Sequence, residues 1–225
     1  ASPFMAKAII EGPVVPLKSD GGGSMSVVVA GKKALINQTD SRFYSYVDKE
    51  NGIPFDFTDY YGKVSVNAGN GSKFNVFGFQ YNDRVDYPIS DFQWKTGGVG
   101  IDFTLIPQSS NLIINGNFAF SGYDTKIEEA DRKERNSGLS GFSGGLTFTN
   151  FGRNSELRYG LEMVGFRTDF NFVNVLGVTT EEVENNSEFN SFVRWKRKFG
   201  NLVIEPGLRL QYYQSLNNLS PEPRL

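Results

Sequence analysis

The sequence of 225 residues contains neither cysteine nor histidine. The absence of cysteine excludes disulfides, thiolate metal sites and cysteine nucleophiles. The absence of histidine removes the usual general base near neutral pH and the commonest transition-metal ligand, so serine triads, zinc hydrolases and histidine–carboxylate iron sites cannot be assembled. These residues therefore predict a protein that is not an enzyme and holds no cofactor.

Long apolar runs and a charge surplus are also missing. A membrane-spanning helix needs about 18 apolar residues in a row, and no uninterrupted apolar stretch of the sequence is that long. Lys and Arg (23) nearly cancel Asp and Glu (25), whereas nucleic-acid binders carry a basic excess. The start, residues 1–4, lacks the charged and apolar parts of a secretory signal, which predicts a mature product or an internal piece. The abrupt ending at residues 220–225 favours the internal piece.

Turn signals divide the chain into about ten extended runs, and no window keeps a helical apolar period, so no helix is predicted. The runs hold roughly 10 to 14 residues, longer than the five or six typical of soluble strands. This length matches strands that cross a membrane at a tilt. The predicted runs are 4–16, 24–37, 56–68, 73–84, 92–106, 111–123, 138–149, 156–171, 188–199 and 201–213.

The connections between these runs alternate in size. Tight turns, with Asn and Gly at positions that need positive φ, are predicted at 20–23, 70–71, 108–110, 150–154 and 200–201. Longer polar loops are predicted near 41–55, 84–91, 124–137 and 172–187. Every second connection of an antiparallel meander falls on the same edge, so this alternation predicts the short turns and long loops of an outer-membrane barrel.

Side chains alternate within the runs. In 201–213, apolar Leu202, Leu208 and Leu210 interleave with Glu205 and Arg209. The same sorting separates apolar from polar residues in three other runs: Leu112, Ile114, Phe118 and Phe120 from Asn115, Asn117 and Ser121; Leu157, Tyr159, Leu161 and Met163 from Arg158 and Glu162; and Phe189, Val193, Trp195 and Phe199 from Asn190, Arg194, Lys196 and Lys198. An apolar face in lipid and a polar face toward water or a plug would produce this pattern.

Aromatic residues cluster toward the ends of the predicted strands. Rings at two levels would form the interfacial girdles of a membrane barrel. The pairs concerned are Tyr60 with Tyr61, Phe92 with Trp94, Phe148 with Phe151, and Tyr212 with Tyr213.

A soluble β-sandwich or lipocalin-like barrel is the alternative, because its strands also alternate. The sequence alone leaves open which face points inward. Strand length and the aromatic clusters favour the membrane. The predicted fold class is therefore all-β, an antiparallel transmembrane β-barrel with about ten strands present.

Two parts of the sequence carry motifs that are similar to those of one protein family. Residues 6–15, AKAIIEGPVV, and 26–33, SVVVAGKK, are similar to a strand ending in "EGPI" that leads through a turn into "SFIVSGRR". Residues 199–209, FGNLVIEPGLR, and 219–225, LSPEPRL, are similar to a later "FGNL-I-PGLR…SPRL" region. With these motifs the sequence resembles TonB-dependent outer-membrane transporters of the Bacteroidetes type. The two parts lie in that family's order and spacing, so the resemblance covers essentially the whole chain.

This resemblance implies that residues 1–225 form part of an outer-membrane barrel domain, about strands 2 to 11 of the family's 22, with no plug domain present. It implies uptake of a nutrient energised through TonB, which would act on a plug absent from these residues. The expected partners are outer-membrane lipid, the TonB complex and a surface lipoprotein, and not nucleic acid. The cargo could be a glycan, a peptide or a metal chelate.

Two other functions remain open for the same barrel. A passive porin would conduct ions without a plug. A scaffold in a secretion or surface complex would hold stable protein partners and no cargo. A barrel protease or lipase would need a histidine, which these residues lack.

Two kinds of charged cluster are candidates for binding. The carboxylates Glu128, Glu129 and Asp131, and Glu181, Glu182 and Glu184, lack the spacing of a calcium loop, so solvated loop charge is the favoured interpretation. The basic residues Arg194, Lys196 and Lys198 would attract an anion in a narrow channel. We predict instead that they pair with Glu205 and Glu162. No catalytic, cofactor or metal residue is assigned, and substrate-binding residues stay unknown.

Overall fold

The fold is almost entirely β-strand in a computed structural model that describes residues 2–18, 21–43, 52–130 and 133–224. Within these ranges the chain forms twelve strands and one short helix. The elements are β1 (Met5–Val15), β2 (Ser24–Ala34), α1 (Ile36–Phe43), β3 (Phe55–Asn67), β4 (Lys73–Tyr87), β5 (Ser90–Leu105), β6 (Leu112–Glu129), β7 (Glu134–Phe151), β8 (Ser155–Val173), β9 (Thr179–Phe199), β10 (Leu202–Ile204), β11 (Gly207–Tyr213) and β12 (Asn218–Arg224).

The strands form one antiparallel meander in chain order from β1 to β12, and among the described residues these two strands are its open edges. Both β10 and β11 pair with β9, so they are one predicted run interrupted at Glu205 and Pro206. Proline has no amide hydrogen for the ladder. Its carbonyl still accepts a hydrogen bond from the Trp195 amide at 2.9 Å. The all-β class is confirmed, and each of the ten predicted runs contains strand. The prediction missed β12, and β5 to β9 hold 16 to 21 residues, more than the 10 to 14 that were predicted.

The helix α1 contradicts the prediction that the chain has no helix. The single hydroxyl hydrogen of Thr39 has two acceptors within reach, the carbonyl oxygens of Pro3 at 2.6 Å and of Leu35 at 2.9 Å from Oγ1. The carboxylate of Asp40 accepts a hydrogen bond from the Ile53 amide at 3.1 Å. An eight-residue helix is too short to show an apolar period, and side-chain contacts of this kind have no local sequence signal. No helix among the described residues has the length and apolarity to span a bilayer.

Three of the four predicted long loops are wrong. The segments near 84–91, 124–137 and 172–187 are mostly strand, and the described connections between β4 and β9 on that edge hold two to five residues. Their polar side chains pair across the ladder, as Arg84 and Asp91 do at 2.9 Å. The fourth, 41–55, lies largely outside the described residues. The predicted tight turns at 70–71, 108–110, 150–154 and 200–201 are present, with positive φ at Gly71 and Gly200. The predicted turn at 20–23 lies partly outside the described residues.

Register divides the side chains between two faces. Face 1 carries Phe118 and the residues in its row, Ile101, Gly144, Met163 and Phe189. Face 2 carries the adjacent row, Asp102, Asn117, Gly145, Glu162 and Asn190. The apolar sets predicted for four separate runs all fall on face 1, which confirms the predicted sorting.

The solvent exposure of side chains differs between the two faces and indicates the direction in which the sheet curves. Face 2 carries Ala34, Arg135 and Asn190, which are buried with exposures of 4%, 9% and 6%. Face 1 exposes Leu161 and Phe120 at 62% and 54%. Side chains converge on the concave side of a curved sheet and diverge on its convex side. Together with the polar residues that face 2 carries in mid-sheet, this difference indicates that face 2 is the inner, concave face.

Two glycines of β6 differ in the space above them. The ring of Phe103, directly opposite Gly116, would overlap a methyl group at that position, whereas nothing lies within 4 Å of a methyl group at Gly122. We expect Gly116→Ala to destabilise the fold by about 1–3 kcal/mol through overpacking. Gly122→Ala should change stability by less than about 0.5 kcal/mol. Denaturant unfolding in detergent measures both, and equal effects would contradict the packing described.

Candidate functional site

Face 1 is apolar over only half of the sheet. On β6 the residues from Leu112 to Phe120 are apolar on this face, and beyond them follow Gly122, Asp124 and Lys126. We call the apolar half, which reaches the row of Val99, Phe120 and Phe142, the apolar band. The part of β3 to β9 beyond that row is the extension. The boundary therefore crosses the strands near their middles.

Ion pairs cover face 1 of the extension. Lys126 contacts Glu134 at 2.6 Å, and Arg167 contacts Asp169 at 2.9 Å. The hydrogen bond from Lys126 lowers the pKa of Glu134, and the bond from Arg167 lowers that of Asp169. Both carboxyl groups therefore stay ionised at pH values below the ordinary pKa range of their residue types. Such a charged surface is compatible with water and not with hydrocarbon.

Face 2 is polar at the level of the apolar band. Glu205 contacts Arg194 at 3.0 Å and Lys196 at 3.5 Å, which confirms the predicted pairing. Glu162 contacts Arg209 at 3.6 Å, so its predicted pairing with the basic residues of β9 is wrong. The register explains the difference, since Glu162 faces Asn190, four positions before Arg194.

Face 2 becomes aromatic in the extension, so the two faces exchange character at the boundary. Four pairs of rings lie two residues apart on one strand with centroids 5.1–6.1 Å apart: Phe55 with Phe57, Phe79 with Tyr81, Phe92 with Trp94, and Phe170 with Phe172. Tyr61, Tyr123 and Phe166 lie on the same face. We call these eleven rings the aromatic wall.

The predicted girdles are partly wrong. Phe92 and Trp94 belong to the aromatic wall on face 2 and not to the lipid-facing side. Adjacent rings such as Tyr60 and Tyr61 point to opposite faces, because side chains alternate along a strand. Rings that do lie on face 1 near the tight turns are Phe148 stacked on Tyr159 at 5.2 Å, and Trp195 and Phe199 beside Arg197.

Two cations of face 2 lie over rings of the aromatic wall. The Lys32 ammonium is 4.8 Å from the Phe57 ring centre, and the Arg135 guanidinium is 5.3 Å from that of Phe172. Each also contacts a carboxylate, Lys32 with Asp59 at 2.5 Å and Arg135 with Glu129 at 3.0 Å.

Asp83 lies on the same wall, and burial and the Asp59 carboxylate raise its pKa, with Lys32 acting in the opposite direction. The sequence did not reveal that these rings and charges share one surface, because they lie on several strands between β2 and β8.

The candidate carboxylate clusters are divided by the strands. Glu128 lies on face 1 and Glu129 on face 2, while Asp131 lies outside the described residues. Glu181 lies on face 1, and Glu182 and Glu184 lie on face 2. Among the described residues no three acidic side chains are grouped to hold a metal ion. The clusters were predicted as loop charge, and their described members are strand residues instead.

Outer-membrane transporters share this architecture. The chain superposes over 99% of its length on the outer membrane transporter YddB from Escherichia coli, with a TM-score of 0.55 and 9% identity. It superposes over 98% on the FrpB iron transporter from Neisseria meningitidis, with a TM-score of 0.59 and 7% identity. The fold is that of an outer-membrane β-barrel wall.

A third similar structure is the ferric enterobactin receptor PfeA from Pseudomonas aeruginosa, with a TM-score of 0.52 and 10% identity. The chain spans 36% to 41% of the length of these three proteins. No protein-family model matches the chain, and no curated protein matches it in sequence. The similarity at this identity concerns the fold, and the Bacteroidetes subtype stays a prediction.

Proposed function

We propose that this chain forms part of the barrel wall of an active transporter in the bacterial outer membrane. The apolar band of face 1 lies in lipid, face 2 lines the lumen, and the extension stands on the cell surface. The exchange of polarity between the faces at mid-strand carries this proposal, because it matches a sheet that leaves a membrane at that level.

The dimensions of the band support this placement. The apolar stretch of β6, Leu112 to Phe120, is about nine residues, and a tilted strand needs 9–11 to cross a bilayer. β6, β8 and β9 hold 18, 19 and 21 residues, so about eight or nine residues of each strand lie beyond the boundary row of Phe120, Gly165 and Ser187. At about 3.3 Å per residue and a tilt near 40°, the extension rises roughly 20–25 Å above the membrane.

The transporter class is favoured over a porin or a scaffold by the three similar structures, each of which is described as a transporter or a receptor. We propose that the energy comes from the inner-membrane TonB system acting on a plug outside these residues. The ligand enters along the aromatic wall and then meets the charged lower lumen.

Growth on defined nutrients tests the active mechanism. We expect deletion of the gene and deletion of TonB to abolish growth on the same cargo within a panel of glycans, peptides and metal chelates. Complementation with the intact gene should restore growth in the first strain alone. Growth that is independent of TonB, together with open-channel conductance of the purified protein, would replace the proposal by a porin. Stable protein partners without any cargo would indicate a scaffold.

A further inference from the structure

We propose that the aromatic wall binds a cationic ligand that carries apolar rings or chains. This inference rests on the proposed function, since it places the ligand in the part of the lumen above the membrane. It names a ligand class for the surface that the strand register assembles from β3 to β8.

The first argument is exposed ring surface on an inner face. Phe55, Tyr81, Phe166 and Phe170 are 37% to 44% exposed although they lie on the concave side of the sheet. These rings lie on β3, β4 and β8, and the rings of β5 and β6 lie between them on the same face. Exposed apolar surface spread over one face in this way marks an interaction site. Its position above the band removes lipid as the partner.

The second argument is that this wall already accepts cations. The contacts of Lys32 with Phe57 and of Arg135 with Phe172 have the geometry in which a ring quadrupole attracts positive charge. The other rings of the wall lie in pairs two residues apart along the strands and present further ring edges and faces beside these two cations. A ligand cation would repeat on the remaining rings a contact that the protein makes twice.

The third argument is the sign of the charge. On the described strands, face 2 of the extension and the adjoining end of β2 hold two bases, Lys32 and Arg135, against five carboxylates: Asp59, Asp83, Glu129, Glu182 and Glu184. The two bases contact Asp59 and Glu129. Among the described residues Asp83, Glu182 and Glu184 form no direct ion pair, and only Asp83 is close enough to Lys32 for that base to lower its pKa. A concave surface focuses this negative potential, which attracts cations and repels anions.

Fluorescence of the purified protein tests the inference. The tryptophans of these residues are Trp94 on the aromatic wall and Trp195 on face 1. Single-tryptophan variants in detergent are titrated with tetraphenylphosphonium and tetraphenylborate, which share a shape and differ in charge. We expect saturable quenching of Trp94, with the cation bound about tenfold more tightly than the anion. Trp195 should report only unsaturable partition into the micelle.

Matched charge variants locate the site. Glu182→Gln and Asp83→Asn should each weaken tetraphenylphosphonium binding several-fold. Glu181→Gln removes the same charge from the adjacent residue on face 1 and should leave binding unchanged. Retained heat-modifiable migration in gels verifies that each variant is folded.

Three results would overturn the inference: equal or tighter binding of the anion at Trp94, equal responses of the two tryptophans, or tighter binding of neutral maltohexaose. The last would indicate a glycan wall. Quenching by brominated lipid, described below, separates this failure from failure of the proposed function. If that lipid quenches Trp195 while tetraphenylphosphonium gives no saturable quenching of Trp94, the membrane placement is supported and the proposed ligand class is wrong.

Discussion

Leu161→Arg is expected to destabilise the protein in a bilayer by about 2–4 kcal/mol, the cost of arginine on the lipid face at the midplane. Leu161 lies near the middle of the apolar band and is 62% exposed. A charge placed there enters hydrocarbon with no counterion or water nearby. The expected cost therefore comes from the solvent that surrounds this position and not from packing inside the protein.

Val183→Arg provides the matched control for this substitution. Val183 lies on the same face and is also well exposed, at 53%, but it belongs to the extension and faces Asp169 across the ladder. Arginine at this position meets water and a carboxylate, so we expect a change within about 0.5 kcal/mol. Equilibrium folding into phosphatidylcholine vesicles, followed in a denaturant series, measures both variants. Equal costs would contradict a membrane boundary between the two positions.

Brominated lipid should quench Trp195 strongly and Trp94 weakly. Trp195 lies on face 1 near the tight turns, at the level expected for an interfacial ring, whereas Trp94 stacks on Phe92 on face 2 of the extension. Bromine quenches a ring by contact, so the acyl chains reach the first tryptophan and not the second. The fraction of tryptophan fluorescence lost in brominated lipid should be several-fold larger for the variant that keeps Trp195 than for the variant that keeps Trp94.

Acrylamide provides the complementary measurement in the same vesicles. A water-soluble quencher reaches the surface-exposed lumen, so Trp94 should respond more strongly than Trp195. The same order of response with both quenchers would mean that the faces are assigned incorrectly. Strong lipid quenching of Trp94 alone would reverse the inner and outer faces and remove the basis for uptake through this wall.

A soluble sandwich would require a second layer over face 1. In such a fold the apolar side chains of two sheets interdigitate, about 10 Å apart. Among the described residues face 1 keeps Val99, Phe118, Leu161 and Val193 at 41% to 62% exposure. The chain also superposes over nearly its whole length on solved outer-membrane transporters. The soluble alternative has no support from either observation.

The strand pattern of the apolar band was predictable, because it depends on neighbours two residues apart. The alternation of Leu157, Tyr159 and Leu161 with Arg158 and Glu162 needs no knowledge of other strands. The extension was not predictable in the same way. Its charged residues, such as Lys126 and Asp169, are typical of loops. In the band the apolar residues lie on face 1, whereas in the extension the charged residues lie on face 1 and the rings lie on face 2.

The helix and the ion pairs also required the folded chain. Thr39 and Asp40 stabilise α1 through contacts with Pro3 and Ile53. Glu162 contacts Arg209 because β9 lies between their strands in a particular register. Composition can nominate partners for a charge, but only the register selects one of them.

Local sequence pattern was enough to predict amphipathic strands and tight turns, because period-two alternation and positive-φ residues act locally. Which alternating positions share a row depends on the pairing of the strands, and this pairing sets the boundary at mid-strand and brings the rings of the aromatic wall together. The physical reason is that a one-residue change of register moves every side chain of a strand to the other face. Cross-strand pairing thus converts several local patterns into one surface.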